Sequence, residues 1–93
     1  MFTLKLFGTI ALDFGSKDLS LDLSSDTTTL KDLLKSLKAK NEQSFNNYFD
    51  ADFSPKRGTL ILINGVDFNT LEGLETKLTL TDQVSFIPTI SGG

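Results

Sequence analysis

The two residues best placed to do chemistry have no side chains. They are Gly92 and Gly93, at the end of the stretch Ile87-Pro88-Thr89-Ile90-Ser91-Gly92-Gly93. A terminal glycine offers an α-carboxylate, which becomes a good acyl electrophile once adenylated on the α-phosphate of ATP, open to attack by a sulfur or an amine. Glycines suit the narrow channel of an activating enzyme because they lack a β-carbon and accept positive φ. A glycine pair alone is a weak signal, and a frayed end is the plain alternative. The context strengthens it: Val84 and Phe86 anchor a hydrophobic strand just upstream, and Pro88 stiffens the exit.

Composition says that the other reacting groups must come from partners. The chain contains no cysteine and no histidine. This excludes a disulfide framework, a thiolate nucleophile, a soft-metal site and the usual general base. Asp50 and Asp52 are two carboxylates without further spaced oxygen ligands, so they read as solvated rather than as a hard-cation site. No metal and no resident cofactor is expected, with ATP used by an activating partner. The net charge of −3, from 9 basic and 12 acidic residues, argues against a phosphate-binding surface and a direct nucleic-acid partner. The opening MFTLKLFGTIALDF places a lysine in its apolar stretch and offers no small-residue cleavage site. No run approaches the roughly 18 apolar residues of a membrane span, so the expected location is the cytoplasm.

The elements that must position the tail follow from hydrophobic periodicity. With 93 residues, 39% hydrophobic and 23% charged, the chain should form one small globular domain. Phe2 to Ile10 reads as a strand with Leu4, Leu6 and Ile10 on one face, although Phe7 breaks the alternation. Asp18 to Ser24 alternates cleanly, with Leu19, Leu21 and Leu23 inward, and the intervening DFGSK supplies the turn of a hairpin. The period then changes. Leu30, Leu33, Leu34 and Leu37 form one helical stripe, capped by Thr28 or Thr29 and stopped near Asn41. Phe45, Tyr48 and Phe49 have the spacing of a short second helix or of a compact loop pinned to the core.

Thr59 to Ile63, TLILI, is apolar on both faces and belongs inside a sheet, and Asn64-Gly65 turns the chain after it. Leu71, Leu74, Leu78 and Leu80 are spaced irregularly around Gly73, which points to short turns. Gln83 to Pro88 is the last strand, and Pro88, without an amide, should end its pairing. The expected architecture is α+β: a mixed sheet with one main helix packed on one face, spanning residues 1–88, and a flexible tail over residues 89–93.

The last 40 or so residues resemble the ubiquitin-like β-grasp sulfur carriers, which include the ubiquitin-related modifier, the small subunit of molybdopterin synthase and the thiamine-pathway sulfur carrier. The similarity is greatest to the ubiquitin-related modifier. It rests on Phe53-Ser54-Pro55-Lys56-Arg57-Gly58, Leu60-Ile61-Leu62-Ile63-Asn64, Asp67, Leu71, Leu74, Leu78, Asp82, Val84, Phe86-Ile87, Thr89 and Gly92-Gly93. Two positions depart from that pattern: Gly65 replaces a usual Asp, and Ser91 replaces a common His. The molybdopterin-synthase subunit usually carries two adjacent prolines before its tail, where this chain has only Pro88.

The resemblance implies a β-grasp fold and a carrier that is not itself an enzyme. An E1-like enzyme would adenylate Gly93, and a sulfur donor would convert it to a thiocarboxylate. The sulfur would then pass to a tRNA thiolation enzyme, or the activated carboxylate to lysines of target proteins. Gly92 would give clearance, and Ile87, Pro88 and Ile90 would guide the tail. Partner docking is expected on apolar residues of the open sheet face near the tail, with Ile87, Ile90 and Phe7 as candidates; a place in the core is the alternative for any of the three, and for Phe7 an equal one. Two other readings differ in kind: the small subunit of molybdopterin synthase, donating the same sulfur to a pterin precursor, and an interaction domain with a passive tail.

Overall fold

The computed structural model describes residues 2–21 and 28–89. Asp22, Leu23 and Ser24 of the second expected strand therefore lie outside the described residues, as do Ile90, Gly92 and Gly93. The chain order is β1 (Phe2–Leu6), α1 (Gly8–Phe14), β2 (Asp18–Leu21), β3 (Thr28–Thr29), α2 (Leu30–Lys40), α3 (Glu42–Tyr48), β4 (Thr59–Ile63), β5 (Val66–Asp67), β6 (Lys77–Leu78) and β7 (Val84–Pro88). Two single-turn 3-10 segments, Phe68–Thr70 and Gly73–Glu75, fill the connection that was read as short turns.

The main sheet has the order β2-β1-β7-β4-β5, and β3 and β6 form a separate two-stranded ribbon. Strand β7 sits in the middle, parallel to β1 and antiparallel to β4. The sheet is thus mixed, and the last strand in sequence holds its two halves together.

Each strand sends alternate residues into one core. Phe2, Leu4 and Leu6 of β1, Ile61 and Ile63 of β4, and Val84 and Phe86 of β7 are all buried. Against them packs the α2 stripe of Leu30, Leu33, Leu34 and Leu37, each fully buried. The start of α2 is a capping box: Thr29 Oγ1 accepts from the Asp32 amide at 3.2 Å, and the Asp32 carboxylate accepts from the Thr29 amide at 3.3 Å. Asn41 ends α2 and at once caps α3 through its side chain, accepting from the Ser44 amide at 3.2 Å. Helix α3 brings Phe45 and the residue after it, Phe49, into the core, stacked with ring centroids 4.5 Å apart. Phe49 then meets Phe86 of β7 edge-on at 5.2 Å.

The first strand is shorter than its apolar pattern suggested. It ends at Leu6, and residues 8–14 form a helix rather than the end of a strand and a turn. Ile10 is buried as expected, but from α1. Gly8, at φ +56°, takes the chain out of the extended region, and Gly15, at φ 79°, closes the helix. The β1–β2 pair is antiparallel as predicted, joined by α1 instead of a tight loop. Helix α1 is held to α3 by hydrogen bonds, Ser44 Oγ to the Asp13 carbonyl at 2.9 Å and the Tyr48 hydroxyl to the Asp13 carboxylate.

Candidate functional site

The features that converge on the tail lie at the C-terminal end of β7. Ile87 and Pro88 are half-buried there, and Thr89 is exposed. On one side, register pairs Leu60 with Ile87 and Thr59 with Pro88. On the other, Leu6 pairs with Phe86, and the Phe7 amide donates to the Phe86 carbonyl at 3.1 Å. Phe7 is still extended, at φ −127° and ψ 154°, so the next step of the register sets it level with Ile87.

Side-chain alternation then decides the face. Leu6, Phe86 and Ile61 point into the core, so Phe7, Ile87 and Leu60 point away from it. They form an apolar cross-strand row on the open side of the sheet, at the exit of the tail. Phe7 is 45% exposed, which places it on the surface rather than in the core. Phe7 and Ile87 thus lie side by side on the open face, Pro88 follows on the other face, and Ile90, Gly92 and Gly93 lie outside the described residues.

Leu60, together with Leu62 one step further along the same face, was missed as a surface candidate. The signal is present in TLILI, whose second apolar face fits an interior position and an open sheet face equally well. Strand β4 is indeed flanked on both sides, by β7 and β5. Its second face stays half-exposed because α1, α2 and α3 all pack on the other side of the sheet.

Pro88 does not quite end the pairing. The Thr89 amide donates to the Gly58 carbonyl at 2.7 Å, one rung further than expected. Since alternate residues of a strand address opposite neighbours, Thr89 bonding toward β4 turns the nitrogen of Pro88 toward β1. There β1 has already given way to α1, so the missing N–H costs no ladder bond. A groove beside this exit runs along α1, lined by Phe7, Gly8, Ala11, Leu12 and Lys17, with Leu12 79% exposed.

The two groups with displaced pKa values lie elsewhere. The Asp82 carboxyl is held below its ordinary value by hydrogen bonds from Asn64 and from the Thr79 amide, at the opposite end of β7. The Tyr48 phenol is raised by burial and by its bond to Asp13, between α1 and α3. Both serve the fold. Among the described residues, no group of three or more metal-ligating side chains is assembled, and no helix is long and apolar enough to cross a membrane. What this end of the molecule offers is a half-exposed apolar row and, at Thr89, a fixed point of departure for the chain.

The family model described as Urm1 (Ubiquitin related modifier) matches residues 3–93. A ubiquitin-related modifier 1 homologue of Drosophila willistoni is 34% identical over 88 residues, covering 95% of this chain and 83% of that protein. Among solved structures, small archaeal modifier protein 1 of Methanosarcina acetivorans superposes with a TM-score of 0.78 at 31% identity, covering 99% of this chain and 95% of that one. Urm1 of Trypanosoma brucei gives 0.77 at 28% identity, covering 99% and 94%. These similarities agree with the β-grasp topology and favour the modifier over the molybdopterin-synthase subunit. The chain belongs to the ubiquitin-related modifier family, the ubiquitin-like sulfur carriers and modifiers.

Proposed function

We propose that this ubiquitin-like carrier works through the α-carboxylate of Gly93, as the substrate of an E1-like adenylating enzyme. A carboxylate oxygen attacks the α-phosphorus of ATP and displaces pyrophosphate. A persulfide sulfur on a partner then attacks the acyl carbon and releases AMP. Cleavage of the resulting acyl disulfide by a second thiol leaves the thiocarboxylate on Gly93. That sulfur goes to a tRNA thiolation enzyme, and the activated carboxylate can alternatively form an isopeptide bond with a target lysine. Gly92 keeps the approach narrow. The protein itself holds no cofactor in this scheme, and ATP is consumed by the partner.

The observation that carries this reading is the placement of the exit. The central strand of the sheet delivers the chain at Thr89, beside an apolar row of Phe7, Ile87 and Leu60 on which a partner can seat. Exposed apolar residues grouped in this way mark interaction surfaces. The test is to incubate the protein with ATP, its activating enzyme and a sulfur source, and to weigh it intact. Replacement of one oxygen by sulfur is expected, and the Gly93→Phe variant should remain unconverted. An unchanged mass of the wild type under conditions that convert another carrier would refute the proposal.

A further inference from the structure

We propose that Gly8 is a positioning residue for the chemistry of the tail: the turn from β1 into α1 closes on the Pro88 ring, and this contact fixes where and in which direction the chain leaves the sheet. The inference rests on the reading that the reacting carboxylate belongs to Gly93.

Two independent features confine residue 8 to glycine. Its φ of +56° lies in the left-handed region, which residues with a side chain rarely adopt. A β-carbon there would also stand 2.7 Å from Pro88 Cγ, well inside van der Waals contact, and 3.5 Å from Pro88 Cδ. The conflicting atom belongs to a closed ring, which a change of pucker can shift but no side-chain rotation can clear. Gly58, on the other side of the exit, is different. A β-carbon there would meet only the Thr89 carbonyl oxygen at an ordinary 3.7 Å, so space does not demand glycine at that position.

The end of a strand ordinarily frays because its final hydrogen bonds are shared with water. Here the two sides of β7 are closed by different means. Toward β4 the Thr89 amide holds the Gly58 carbonyl at 2.7 Å. Toward β1 the last rung is the Phe7 amide to the Phe86 carbonyl at 3.1 Å, and beyond it Pro88 has no amide to offer. The ring seated against Gly8 closes this side, where the Phe7 carbonyl already accepts from the Ala11 amide and no ladder bond is on offer.

This seat sets the length of the tether. Gly93 lies four residues beyond Thr89, a path that at about 3.5 Å per residue spans no more than about 14 Å. Release of Ile87, Pro88 and Thr89 would lengthen the path from the last held residue to Gly93 from four residues to seven. The effective concentration of the carboxylate at a docked active site would then fall about 2-fold by chain statistics, and about 5-fold by the volume the chain can sweep.

The test compares wild type, Gly8→Ala, Pro88→Ala and the double variant. Two quantities are read: KM and kcat for thiocarboxylate formation with the activating enzyme, and hydrogen exchange at the Thr89 amide. For Gly8→Ala, kcat should fall about 2- to 5-fold with KM nearly unchanged, because docking is intact and only the encounter of the carboxylate with the active site inside the docked complex is diluted. Thr89 exchange should rise several-fold while the Ile61 amide in the middle of β4 stays protected. Pro88→Ala should also speed Thr89 exchange, which keeps the test decisive if Gly8→Ala folds poorly. The double variant should show less than the sum of the two single effects, because the atom opposing the new methyl group is gone and only the left-handed φ of residue 8 still disfavours alanine. Additive effects, or protected Thr89 amides in both single variants, would overturn the proposal. If the wild type gains no sulfur, the Gly93 reading fails, and the exchange measurements still decide whether Gly8 holds the exit.

Discussion

Asn64 and Asp82 lock the two turns at the end of the sheet opposite the tail. Asn64 Nδ2 donates to Asp82 Oδ1 at 2.9 Å, and the Gln83 amide donates to Asn64 Oδ1 at 2.9 Å. Asn64 and Gly65 have φ of 53° and 82°, the pattern of a type I′ hairpin turn. The side chain that turns β4 into β5 therefore also fixes the entry of β7.

This lock should make stability depend on pH in the acid range. The Asp82 carboxyl is held below its ordinary value, first by the hydrogen bond from Asn64 and then by the Thr79 amide. A depressed folded-state pKa means that the unfolded chain binds the proton more readily, so the contribution is complete above the ordinary carboxylate pKa of about 4 and is lost as pH falls below it. Asp82→Asn should be less stable than wild type near neutrality, with the gap narrowing below about pH 4. Urea titrations of both proteins across that range would measure it, and a constant gap would count against the assignment.

The Tyr48 phenol should show the opposite dependence at high pH. Burial and the bond to Asp13 raise its pKa, so the folded state favours the protonated form. Its stabilisation is full below the ordinary tyrosine value of about 10 and is lost as pH rises through the higher folded value. Because Tyr48 is the chain's only tyrosine, the ultraviolet titration of phenolate reports it directly. Tyr48→Phe should cost about 0.5–1 kcal/mol near neutrality, and less as the phenol ionises.

The Phe49–Phe86 contact ties α3 to the strand that leads into the tail. Phe86→Ala should destabilise the domain by about 3–5 kcal/mol, the usual cost of emptying a buried aromatic site. Phe49→Leu, which keeps most of the volume, should cost less than about half of that. Thermal unfolding would rank the two. Sulfur loading of Phe86→Ala should fall in parallel with the folded fraction, since the residue acts through the sheet.

Leu60 and Ile87 should behave differently. Both face away from the core, so Leu60→Ser with Ile87→Ser should leave the fold in place and weaken docking. Loss of a central apolar contact of an interface costs about 1–2 kcal/mol, which predicts a drop of about 5- to 30-fold in kcat/KM for activation. Ser20→Ala, on the same face toward the β2 edge, is the control and should change neither quantity. Equal losses in all variants would show that the row is not a docking surface.

Much of this fold was legible because separate local signals agreed. The Leu30–Leu37 stripe, the Thr29 cap and the Asn41 stop together delimit α2 closely. The Asn64-Gly65 pair gives the turn after β4, and the tail anchor at Val84 and Phe86 follows from alternation. Ile10 shows where the reading fails: it lies an even number of residues from Leu6, so it fits a period of two, yet it is also four residues before Phe14 on one helical face. Gly8 carried the information that the strand had ended, but a glycine inside an apolar run is also compatible with a bulge. The open-face apolar row was half legible. A strand apolar on both faces does not say which face a helix covers, and only the position of the three helices leaves Leu60 and Leu62 on the open side.

The central place of β7 has a mechanical consequence. A force applied through Thr89 cannot peel the strand away from one edge, because β7 is bonded to β1 on one side and to β4 on the other. Since β1 runs parallel to it, opposing pulls on the two strands would load their hydrogen bonds in shear, all together rather than one by one. A pull at Thr89 therefore moves the whole domain as one body.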